Sequence, residues 1–227
     1  MRALRRMRDL IASGVLPSDA ALTLASGRQD APSELVAEVV AAARALDSGR
    51  CCAVLGRSVA EHGVVWTWDR LRRPALRTVD ADQRTDPDRV DIEHALSWSV
   101  SVALHRAPRG GEAGPPSVLL ACTEPELHAL PLEALAAALA ERGCPARMLG
   151  AATPARGLVR AVAATRAESV VLWSQTAATA EDAALRELGS ARARRITAGP
   201  GWPGGPRQGD AHVTSLGGAL ELLTGQR

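Results

Sequence analysis

The feature that most constrains this chain is a change of hydrophobic period across a Gly- and Pro-rich stretch. Between His105 and Ser117 stand Pro108, Gly110, Gly111, Gly114, Pro115 and Pro116, which suit neither a helix interior nor a strand interior. Upstream, every segment repeats its apolar residues at helical spacing. "LRRMRDLIASGV" places Leu4, Met7, Leu10 and Ile11 on one face and stops at Gly14. "PSDAALTLASG" has Ser18 as its N-cap and Gly27 as its stop. "PSELVAEVVAAARALDSG" runs from a capping Ser33 to Gly49, and "RCCAVLGRSVAEHG", "VVWTWDRLRRPALRTV" and "DRVDIEHALSWSVSVALHR" read as three further helices. The economical packing is a bundle of four longer helices behind a short helical lead-in.

Downstream, strand alternates with helix. "SVLLAC", "ARMLGA", "SVVLWSQ" and "ARRITAG" are short apolar runs of buried-strand type, and "HVTSL" is a short fifth. Between them lie the Ala-rich helix of "TEPELHALPLEALAAALAERG", then "TPARGLVRAVAATRA" and "TAEDAALRELGS", with "LGGALELLTG" closing the chain. This alternation predicts a flavodoxin/Rossmann-like doubly wound parallel sheet, so the fold class is all-α followed by α/β. The expected division is a helical lead-in and bundle over 1–106, a linker over 107–116 and a Rossmann-like domain over 117–227.

Composition narrows the function classes. A hydrophobic fraction of 46% and a mean hydropathy of −0.03 are those of a soluble globular protein. Every basic side chain other than histidine is Arg, with no Lys, and Ala is abundant, a bias typical of GC-rich coding; Arg number is therefore no sign of nucleic-acid affinity. A net charge of +2 agrees, since a domain gripping phosphates by itself is usually more basic. No apolar run reaches bilayer length, and "MRALRRMRDLIASG" interleaves charge with its apolar residues, unlike a signal peptide. A cytoplasmic protein without membrane contact is expected, with Cys51, Cys52, Cys122 and Cys144 reduced and mostly buried because no CxxC spacing occurs.

In doubly wound sheets, ligands bind beyond the C-terminal ends of the strands. His128, Ser174 and Gly199 with Gly201 each fall just past a successive predicted strand end. Taken singly, a histidine such as His128 after a strand is more often a solvated or capping residue than a ligand, Ser174 reads as a turn residue and "GPGWPGGP" as a flexible loop. Their order is what points to a ligand site.

With these residues in place, the second half of the chain resembles the cobalamin-binding Rossmann-like domain, whose pattern is Asp-x-His-x-x-Gly, then Ser-x-Leu, then Gly-Gly. The first half resembles the helical bundle that caps cobalamin in the light-responsive MerR-type regulators of carotenoid genes. Their histidine motif often reads Glu-x-His, matched by Glu126-Leu127-His128, and their bundle carries Glu-His, matched by Glu93-His94 in "DIEHALS". "LRRMRDLIASGVLPSDAA" is similar to the segment that follows the family's winged helix-turn-helix. The resemblance implies His128 as the lower cobalt ligand, displacing the cofactor's own dimethylbenzimidazole base. A carboxylate, Glu126 or equally Glu124 by sequence, would orient the imidazole. Ser174, Thr176, Gly199 and Gly201 would line a slot for the displaced nucleotide tail, and Glu93 and His94 would face the upper ligand of adenosylcobalamin or hydroxocobalamin.

Departures from the pattern are specific. Gln83 stands where the family has a capping Trp, and Arg84 where its light-responsive members supply an upper histidine. Trp66, Trp68 and Trp98 sit at helical spacing and are expected in the core. Pro131 replaces the motif glycine, Thr176 the leucine, and Gly199-Pro200 the paired glycines. The resulting expectation is a non-catalytic, photoreceptor-like sensor and homo-oligomerising region of a transcriptional regulator, with a weak or absent light response. DNA would be reached only through an N-terminal domain outside this sequence or a partner protein. The alternatives are a cobalamin-free repurposed sensor or interaction module of the same fold, and, less favoured, a cobalamin-dependent enzyme component.

Overall fold

The computed structural model describes residues 33–111, 117–202 and 210–225. The two helices expected before Ser33, with their caps Ser18 and Gly27, and the central part of the Gly/Pro stretch lie outside the described residues.

The helical half begins with α1 (Ser33–Arg44) and α2 (Ser48–His62). Gly49 was expected to end the first of these; instead Leu46 makes the reversal at φ 53°, and Gly49 lies inside α2. Asp47 is the reason: its carboxylate accepts from the Arg50 backbone N–H at 2.9 Å and starts the new helix early. The next rod comprises α3 (Val64–Trp66), a π-helical stretch (Thr67–Arg72) and α4 (Arg73–Thr85). Pro74 has no N–H to give to the preceding turn, and the ladder widens just before it. The rod continues past the expected end at Val79, so Gln83 and Arg84 occupy its last turn. A short 3-10 turn (Pro87–Arg89) leads to α5 (Val90–His105). Val39, Val54, Leu55, Leu71, Leu96 and Val100 are buried between these rods.

The second half contains β1 (Val118–Cys122), α6 (Leu130–Glu141), β2 (Ala146–Gly150), α7 (Ala155–Thr165) and β3 (Ser169–Trp173). It continues with α8 (Ala183–Glu187), β4 (Arg194–Ala198), β5 (Ala211–Val213) and α9 (Leu216–Thr224). All strand pairs are parallel, in the order β2-β1-β3-β4-β5. Every residue of β1 is buried, as are the first four of β3, because helices cover both faces. One face shares a continuous apolar core with α6, α9 and the helical half, while the other packs on α7 and α8. Pro131 fits the first turn of α6, as expected, where its missing N–H has no intrahelical role. The helix expected from Thr179 is confined to Ala183–Glu187, which frees Thr179 for another use.

Helix α6 joins the two halves. Glu133, near its start, accepts from Ser101 Oγ of α5 at 2.5 Å. Glu141, at its end, caps α3 by accepting from the Val64 N–H at 3.0 and 3.1 Å. The expected linker is not free at its described end. Gly110 donates its N–H to the Ala140 carbonyl at 2.8 Å, and Gly143, at φ +66°, lies so close to the Gly111 carbonyl that a methyl group would not fit.

Burial pushes the Glu141 carboxyl above its ordinary value, against the lowering effect of the Val64 N–H. The folded state therefore binds this proton more tightly, and the contribution to stability falls as pH rises through the ordinary carboxylate value toward the raised one. Glu141→Ala is expected to lower stability by about 1–2 kcal/mol in urea unfolding at neutral pH, through loss of the cap. Glu141→Gln keeps an acceptor and removes the buried charge, so it is expected to unfold at the wild-type urea concentration or above.

Candidate functional site

The loops after β1 and β3 meet where the sheet reverses its winding. From β1 the chain passes outward to β2 on one side and then returns across β1 to β3 on the other, the topological switch beyond whose strand ends ligands bind in such sheets. Residues 123–129 and 174–179 follow these two strand ends and are bound to each other. Thr123 donates its N–H to the Trp173 carbonyl at 3.1 Å and its hydroxyl to the Thr179 carbonyl at 2.6 Å.

At the centre is Glu126, whose side chain is 1% exposed. One carboxylate oxygen accepts from the His128 N–H at 2.8 Å and faces His128 Nδ1 at 2.7 Å. The other accepts from the Gln175 N–H at 2.7 Å and from Thr179 Oγ1 at 2.6 Å. Burial alone would raise this carboxyl; the hydrogen bonds from Thr179, Gln175 and His128 overcome it and hold the group at about 2. Of the two glutamates that the sequence left open, Glu126 is the one that meets the imidazole.

An ionised carboxylate only accepts, so His128 must carry a proton on Nδ1. In the neutral ring the lone pair then resides on Nε2, and the side chain is 73% exposed. The result is an oriented, exposed imidazole beyond the strand ends, with its free nitrogen able to act as a base or a metal ligand. Among the described residues, no group of three or more His, Cys, Asp and Glu side chains could hold a bare metal ion. A metal that brings its other ligands with it needs one imidazole, and this arrangement supplies one. The adjacent Cys122 thiol is pushed up to about 12 by burial and by the Glu126 charge, so it is neither nucleophile nor thiolate ligand.

Ser174, Thr176, Gly199 and Gly201 stand together on the far side of the same network. Thr179 has one hydroxyl proton, committed to Glu126, so its lone pairs face Ser174 Oγ at 2.8 Å. Ser174 is fully buried and also lies 2.9 Å from the Thr176 carbonyl. Gly199, at φ +100°, sits on the Ser174 carbonyl and the Trp173 ring, and Gly201 sits on the Ser174 hydroxyl. Thr179 is the residue that sequence reasoning missed, because "TAEDAALRELGS" reads as a helix in which a threonine is only a cap.

Glu93, His94, Gln83 and Arg84 belong to the helical half. Glu93 accepts from Ser97 Oγ at 2.5 Å, with His94 Nε2 3.8 Å from its other oxygen. No hydrogen bond or ion pair among the described residues joins these four to the His128 loop. Trp68 is buried beneath the Arg72 guanidinium, 4.2 Å from its ring centre, whereas Trp98, expected in the core, is 59% exposed on α5.

No protein-family model matches this chain, and no curated protein sequence does. Solved structures do. The monomethylamine corrinoid protein of Methanosarcina barkeri superposes with a TM-score of 0.61 at 11% identity, covering 85% of this chain and 98% of that one. The methanol:cobalamin methyltransferase complex MtaBC from the same organism matches with a TM-score of 0.40, 14% identity and coverage of 85% and 79%. A cobalamin-binding protein of Desulfitobacterium hafniense DCB-2 matches with a TM-score of 0.38, 16% identity and coverage of 83% and 96%. The first establishes a shared fold: a helical region followed by a Rossmann-like sheet, as the sequence pattern predicted.

The Glu126 cluster carries its own test. With a folded value of about 2 against an ordinary 4.5, it contributes about 3 kcal/mol above pH 4.5, lost as pH falls toward 2. Acid unfolding of the wild type is expected to show this loss. Glu126→Gln is expected to be less stable at neutral pH by a similar amount and to lack that part of the acid dependence.

Proposed function

We propose that this chain is a corrinoid-binding sensor region in which His128 is the lower cobalt ligand. The observation that carries the reading is the buried Glu126 carboxylate, which holds the His128 imidazole through Nδ1 and leaves Nε2 exposed beyond the strand ends of a sheet whose fold is shared with a corrinoid protein. The donor chemistry fits the group. A corrinoid brings most of its cobalt's ligands with it, and His128, as a carboxylate-supported neutral imidazole, would supply a nitrogen donor. A bound corrinoid would supply a redox-active cobalt able to carry an alkyl or aqua ligand. Glu126 would set ring orientation, and Thr179 would hold Glu126.

The same geometry supports a sensory role better than a catalytic one. Helix α6 begins two residues beyond His128 and ends its hydrogen bonds on the helical half, at Ser101 and at Val64. A displacement of the His128 loop on ligand binding would therefore be conveyed along a rigid rod to the bundle. In this reading the bundle forms a homo-oligomer whose assembly responds to ligand. DNA is contacted through a domain or partner other than the described residues. No described helix is long and apolar enough to cross a membrane. Gln83 and Arg84, at the end of α4, provide no imidazole for an upper ligand, so light dependence is expected to be weak.

The experiment is direct. Protein incubated with hydroxocobalamin, adenosylcobalamin or diaquocobinamide and then desalted is expected to retain the chromophore of at least one. Its visible spectrum should shift toward that of an imidazole-ligated corrinoid. His128→Ala is expected to lose the shift, and illumination of the adenosyl complex to leave its elution volume unchanged. Colourless protein with every corrinoid would refute the reading and leave an interaction module of the same fold.

A further inference from the structure

We propose that the slot beside β3 and β4 is closed by this chain's own indole, Trp173, so that its ligand is a corrinoid whose lower nucleobase is not inserted. The inference rests on the corrinoid reading above and specifies which member of that ligand class the site admits.

Three contacts carry it. The small residues that would make room for a tail, Gly199 and Gly201, do not face open space. A Cβ at Gly199 would stand 2.9 Å from Trp173 Cζ3 and 3.0 Å from Cε3, so the six-membered edge of the indole lies directly on the glycine. A Cβ at Gly201 would stand 2.5 Å from the Thr176 carbonyl oxygen and 2.9 Å from Ser174 Cβ. Ser174, which would offer a hydroxyl to an inserted base, is fully buried, and its one proton already faces two acceptors within the chain, Thr179 Oγ1 and the Thr176 carbonyl. The room that glycine creates here is filled from within the chain.

The identity of the filling group matters. Trp173 is the last residue of β3 and packs against the core shared with α6 and α9. Its indole N–H is shielded from water and has no acceptor among the described residues. A donor left unmatched in this way is unfavourable, so the side chain is held there by its volume and packing, not by polar contacts. Indole and a benzimidazole-type base are both flat fused bicycles of similar size, and they cannot share one slot. The imidazole of His128 lies outside this closure, on the exposed side of Glu126, and remains available to cobalt.

The test compares corrinoids that differ only in the tail. Titration of the full chain with diaquocobinamide, which lacks the nucleotide, is expected to give a His128-dependent spectral shift. Hydroxocobalamin is expected to bind at least about tenfold more weakly, because its base must be displaced and finds no slot. Trp173→Ala is expected to bring the two affinities together by strengthening cobalamin; Trp173→Leu, which keeps more apolar volume, guards against a folding defect, with circular dichroism as the check. Equal affinity of the wild type for both corrinoids, with the cobalamin base displaced by His128, would overturn the inference while leaving the corrinoid reading intact. Failure of both corrinoids to bind would overturn the corrinoid reading and this inference with it.

Discussion

One buried carboxylate organises the candidate site. Glu126 lies in a polypeptide turn that could have faced water, yet its side chain is 1% exposed and takes hydrogen bonds from two loops. A charge placed there without partners would be strongly unfavourable. With the Gln175 N–H, Thr179 Oγ1 and the backbone N–H and Nδ1 of His128 directed at it, the charge instead sets the geometry: the loop after β1 closes on the loop after β3, and the imidazole has one orientation. The sheet edge at the reversal thus gains a defined donor atom.

The same network reaches in two directions. Toward the sheet it passes through Thr179 to Ser174 and stops at glycines pressed against Trp173. Toward the helical half it passes from His128 into α6, whose two glutamates are bonded to α5 and α3. A ligand on the exposed nitrogen would therefore be linked to the packing of the bundle by a short path of direct bonds and one helix.

Much of the fold was legible because its signals are local. "SVLLAC" and "SVVLW" are short apolar runs flanked by polar residues or proline, and parallel sheets bury such runs on both faces. The convergence of His128, Ser174 and Gly199 was legible for the same reason: successive parallel strands must bring their C-terminal ends to one edge. Other features were not legible, because they depend on partners distant in sequence. Nothing local to Thr179 distinguishes a helix cap from a hydroxyl serving Glu126 fifty-three positions earlier. Trp173 reads simply as a strand residue, and only the φ of Gly199 and the adjacent strand reveal which space its ring fills. Asp47 competed with Gly49 for the helix boundary, and a side-chain cap prevailed over a conformational preference.

The central claim is that Glu126 fixes His128 as the Nδ1–H tautomer and so presents Nε2 as the donor. Long-range proton–nitrogen correlation on protein labelled with nitrogen-15 in histidine tests this without any ligand, at a pH where the ring is neutral. The account predicts a protonated, pyrrole-type Nδ1 and an unprotonated, pyridine-type Nε2 for His128, with the preference lost in Glu126→Gln. A protonated Nε2, or a tautomer mixture that the Glu126 substitution does not change, would contradict it.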